Sequence, residues 1–71
     1  MRTITELRKA RDLLMSTIQQ AEHVKRTHTI ILSDANEMDF LTEVLKSDNA
    51  VIELLEDKLA QVFKEMRSQM P

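Results

Sequence analysis

None of the 71 residues is glycine, and the single proline is the last residue, Pro71. Tight hairpin turns need positive φ, which glycine supplies best, so a β-rich fold is disfavoured from the outset. The same absence removes the P-loop, the dinucleotide-binding turn and the nucleophile elbow. Cysteine is also missing. A disulfide framework, a thiolate zinc site and a cysteine nucleophile therefore drop out as well. A glycine-free chain with no internal proline can run as long uninterrupted helices, and the apolar residues are spaced for that.

Ile4, Leu7, Ala10, Leu14, Ile18, Ala21 and Val24 follow one another at steps of three and four. That spacing places them on one helix face. Thr3 and Glu6 precede the run at capping-box spacing. Leu13 and Met15 lie beside the stripe. A second, longer run comprises Met38, Leu41, Leu45, Asp48, Ile52, Leu55, Leu59, Val62, Met66 and Gln69. Eight of these ten positions are apolar, as in a coiled-coil seam. Val44, Val51, Phe63 and Met70 widen the stripe, which favours a bundle.

The β-branched stretch around Thr27-His28-Thr29-Ile30-Ile31 has weak helix propensity. Ser33-Asp34, followed by Glu37 and Asp39, resembles a helix start. The chain is therefore expected to be all-α, a single domain folded as an antiparallel helical hairpin. The expected boundaries are a helix over 4–27, a connection over 28–33 and a helix over 34–69. Ser47-Asp48-Asn49 is a second capping-type cluster, so a break near Asp48 is the alternative to one long second helix. If that helix is continuous, Asp48 lies in the seam and needs a partner.

With reversal at 28–33, facing residue numbers sum to about 61 for two helices of equal rise. Ile4 would then oppose Asp57, and the second helix would overhang. Leu59, Val62, Phe63, Met66 and Met70 become the expected interface residues, covered in a homodimeric helical bundle or by another protein.

Net charge is −2, but it is unevenly distributed. Arg2, Arg8, Lys9, Arg11, Lys25 and Arg26 outweigh Glu6, Asp12 and Glu22, which leaves residues 1–29 at +3. Residues 30–71 carry −5, with an acidic face at Glu53, Glu56 and Asp57. Arg8, Lys9, Arg11, Lys25 and Arg26 form a candidate basic patch for phosphates. With only Phe40 and Phe63 as aromatics, stacking platforms for single strands are missing. His23 and His28 are five apart, which is off the three- or four-residue spacing of a helical metal site. No cofactor, metal or catalytic residue is expected.

No apolar run is long enough to span a membrane, and the N-terminus has no signal-peptide core. A cytoplasmic protein is expected. The functional expectation is a non-enzymatic protein that binds and modulates a partner, as an inhibitor or adaptor. A nucleic-acid-binding regulator using the basic first helix is the second expectation, and a scaffold subunit the third.

Overall fold

A computed structural model describes residues 2–69. Two helices, α1 (Ile4–Asp34) and α2 (Met38–Gln69), pack against each other as an antiparallel hairpin. The hairpin is a rod of 54 × 15 × 15 Å, one helix pair thick.

The start of α1 follows from its first residues. Thr3 is extended (φ −73°, ψ 162°), and its hydroxyl accepts the Glu6 amide proton at 3.2 Å. The Glu6 carboxylate returns to the Thr3 hydroxyl at 3.2 Å. The cap is thus the box read from the sequence, with the carboxylate on the hydroxyl.

The turn lies later in the chain than the sequence suggests. α1 runs through residues 28–33, where a connection is expected, and ends at Asp34. Packing holds this stretch in helix, because His28 and Leu32 are half-buried toward the other helix. The Thr27 and Thr29 hydroxyls are satisfied on the carbonyls of His23 and Lys25 at 3.0 and 2.9 Å, which spares them water but does not itself favour the helix. A propensity deficit of a few tenths of a kcal/mol per residue is outweighed by such packing.

The reversal is made by Asn36, which adopts φ 58°. Its amide donates to the Ser33 carbonyl at 3.1 Å, and the Glu37 amide donates to the Leu32 carbonyl at 2.9 Å. This is a Schellman stop, with asparagine in the left-handed position that glycine usually takes. Ser33-Asp34 therefore closes α1 and does not open α2. The Glu37 carbonyl then accepts the Leu41 amide at 2.8 Å as α2 begins.

The later turn resets the register. Arg2 meets Glu65 and His28 meets Asp48. The overhang disappears, because the open end of α1 covers the end of α2. The core is densest there: Leu7 is fully buried, Val62 is 3% exposed and Met66 6%, with Ile4, Ala10 and Leu14 packed around them. Leu41 and Ile52 are the other buried apolar residues among those described. The seam of α2 follows its sequence pattern except for Met38, which is exposed. In α1, Val24 faces outward, and Lys25 and His28 are half-buried in its place.

α2 is continuous through Ser47-Asp48-Asn49. Asp48 lies in the seam and its carboxylate is 2.8 Å from His28 Nδ1. A side chain engaged across the seam is not available to cap a local backbone amide, so no new helix starts there.

Candidate interaction surface

The residues expected at an interface divide once the fold is known. Val62 and Met66 are the hairpin's own core, and Leu59 is half-buried in the seam. They belong mainly to the hairpin's own packing, because the overhang that would have exposed them does not form. Phe63 is 41% exposed and lines a shallow cleft with Ala60, Met66 and Arg67 near the open end. Met70 lies outside the described residues.

The charged residues separate as well. Glu53 and Glu56 share one cleft with Glu22, Lys25 and Arg26, so acid and base offset each other on that side. Asp57 is exposed nearby. Arg11 bonds Asp12 at 3.0 Å. The fourteen residues from Arg11 to Lys25 span about 21 Å of helix. Arg8, Lys9 and Arg11 are thus remote from Lys25 and Arg26, and the five do not form one patch. Among the described residues no three His, Asp or Glu side chains converge as a metal site would require.

The open end is fastened by polar contacts. The Arg2 guanidinium donates twice to the Glu65 carboxylate, at 2.8 and 3.2 Å. The Gln69 side-chain amide donates to the Arg2 carbonyl at 2.6 Å. The hydrogen bond from Arg2 holds the Glu65 carboxyl below the ordinary carboxylate range, and the same bond raises the Arg2 guanidinium. Both groups are solvated, so the pair is a fastening and adds little stability.

The largest uncompensated feature is on the other broad side. Side chains seven apart recur on one line of a packed helix. Ala10, Thr17, Val24 and Ile31 form such a line on α1, with Leu13 beside it. Val44 and Val51 form one on α2, flanked by Phe40, Ser47 and Leu54. The two lines meet at a shallow depression lined by Ala21, Val24, Asp48 and Val51, so they belong to the same side of the hairpin. Leu13, Val24, Ile31, Phe40, Val51 and Leu54 are each at least 45% exposed. The α1 line carries no charge from Ala10 to Ile31 and the α2 line none from Val44 to Val51; Lys58 stands at the next step of the second line, and Asp48, bonded to His28, lines the depression. Scattered exposed apolar residues are ordinary, but a side where large apolar residues recur and charge is limited to the paired Asp48 and to Lys58 is not.

Leu13, Val44 and Val51 widen the two stripes in the sequence pattern, but the spacing along each helix does not show that these flanks share one side until the two helices are paired. Ile31, Phe40 and Leu54 were discoverable from the seven-residue recurrence once the turn is set at Asn36. No helix among the described residues is long and apolar enough to cross a membrane.

Compared with family models, with curated proteins and with solved structures, the chain matches none of them.

Proposed function

We propose that this chain is a non-enzymatic helical interaction protein. It engages a further polypeptide chain through the side defined by Val24 and Val51, and works by covering that surface. The observation that carries this reading is the side itself: six large apolar side chains, each at least 45% exposed, on or beside two lines that carry no charge over residues 10–31 and 44–51. Amphipathic helices bind partners through anchors spaced in this way. The opposite side, with Glu22, Lys25, Arg26, Glu53 and Glu56, is a solvated charged surface.

A photo-crosslinking residue placed at Leu54, and separately at Glu53 on the charged side, tests this in the native host. Adducts to polypeptide from position 54 and few from position 53 are expected. Nucleic-acid adducts alone, or no adduct from position 54, would refute it.

A further inference from the structure

We infer that the occupant of the uncharged side is a second copy of this chain, packed antiparallel so that each turn end lies along its partner's open end. This rests on the interaction-protein reading above and names the partner that reading leaves open.

Area is the first support. A compact monomer of 8.3 kDa exposes about 4,600 Å² of accessible surface. This chain exposes 5556 Å². The excess, roughly 1,000 Å², is close to the ~800 Å² that one partner contributes to an interface of standard size. A layer one helix pair thick cannot enclose its own apolar surface. Two such layers placed face to face make a four-helix bundle, in which Val24, Val51 and Leu54 become core.

Charge supplies the orientation. Around the turn, residues 29–46 hold Asp34, Glu37, Asp39 and Glu43 against Lys46, a net −3. At the open end, residues 2–19 of the α1 side hold +2, and residues 56–69 of the α2 side balance to zero. The rod is therefore acidic at its turn and basic at its open end. A two-fold axis along the rod would set acid against acid. An axis through the uncharged side, near the level of Val24 and Val51, sets acid against base at both ends. The Phe63 clefts then remain on the outer surfaces.

The chain has no cysteine, so Ala35→Cys carries a single nitroxide label at the turn without altering the uncharged side. Eleven residues separate Ala35 from the level of Val24, so the antiparallel pair puts the two labels about 33 Å apart. A parallel pair, with helices roughly 10 Å apart, keeps them within roughly 20 Å. A sedimentation mass of two chains at tens of micromolar together with the long distance is the expected result. Leu54→Glu alters a residue the hairpin does not bury, and it should raise the dimer dissociation constant at least about tenfold. Circular dichroism at the same concentration separates lost pairing from lost helix. A single-chain mass overturns the second copy as occupant, while polypeptide adducts to another protein from position 54 would still uphold the interaction reading. A short label distance overturns the antiparallel arrangement. A dimer indifferent to Leu54→Glu, with the long distance retained, overturns the uncharged side as the interface.

Discussion

At the scale of single residues, two side chains determine how the hairpin closes. Asn36 carries the left-handed conformation on which the turn depends. Asparagine tolerates that region better than other side chains, and glycine better still. Asn36→Gly is therefore expected to stabilise the chain slightly, by roughly 0.5 kcal/mol after the greater freedom of the unfolded glycine chain is subtracted. Asn36→Val, which is β-branched, should destabilise it by about 1–2 kcal/mol. Urea unfolding of the three chains checks the order Gly, Asn, Val. The second residue is Asp48, which meets His28 at 2.8 Å within the seam. Removing either partner leaves a half-buried polar group in an apolar stripe, so Asp48→Ala and His28→Ala should each destabilise. In a double-mutant cycle the double variant should lose less than the two single losses added together, by about 1 kcal/mol. Strict additivity would mean that the pair contributes nothing to register.

At the scale of elements, the helices were legible in the sequence and the turn was not. Steps of three and four give α2 almost unchanged, because burial fixes Leu41, Ile52, Val62 and Met66 on one face whatever the loop does. The Thr3 and Glu6 cap was also legible, because it is local. The end of α1 was misplaced because Thr27, Thr29 and Ile31 are poor helix formers alone, whereas the decisive contacts come from α2, which is distant in sequence. Asn36 was overlooked because a left-handed stop usually announces itself as glycine, and this chain has none. One misplaced turn then displaced every cross-helix pairing, Arg2 with Glu65 included. That pair yields a prediction about pH. The folded-state pKa of Glu65 is depressed, so its contribution is present above the ordinary carboxylate value of 4.5 and is lost as pH falls through the lower folded value. Arg2 stays charged throughout. Amide exchange at Glu65–Ser68 should therefore rise, relative to the middle of α2, below the ordinary carboxylate range. Glu65→Gln should show that faster relative exchange at neutral pH and lose its acid dependence. Unchanged relative protection in both experiments would show that Gln69 and the core alone hold the end.

At the scale of the whole molecule, the question is how a rod 15 Å thick remains folded. Its dense core is confined to the open end around Leu7, Val62 and Met66. Leu7→Ala should therefore be severe, about 2–5 kcal/mol as for other fully buried leucines. Chains of this length seldom hold more than about 3–5 kcal/mol in one core, so that variant is expected to unfold the chain at dilute concentration. Toward the turn the core is thinner: Leu41 is buried and Leu32 and Leu45 are half-buried, but Lys25, His28 and Asp48 share the seam, and Val24, Ile31, Phe40 and Val51 stay largely exposed. Folding of that half then depends on what covers it. If the cover is a second copy, folding and pairing are one equilibrium, and mass action enters the melting temperature. For two chains of 71 residues unfolding together, a tenfold rise in concentration should raise Tm by about 5 °C. Melting followed by circular dichroism from a few micromolar to several hundred micromolar measures this directly. A Tm that stays constant across that range would mean that each hairpin folds alone, and that its uncharged side is held open for a different polypeptide.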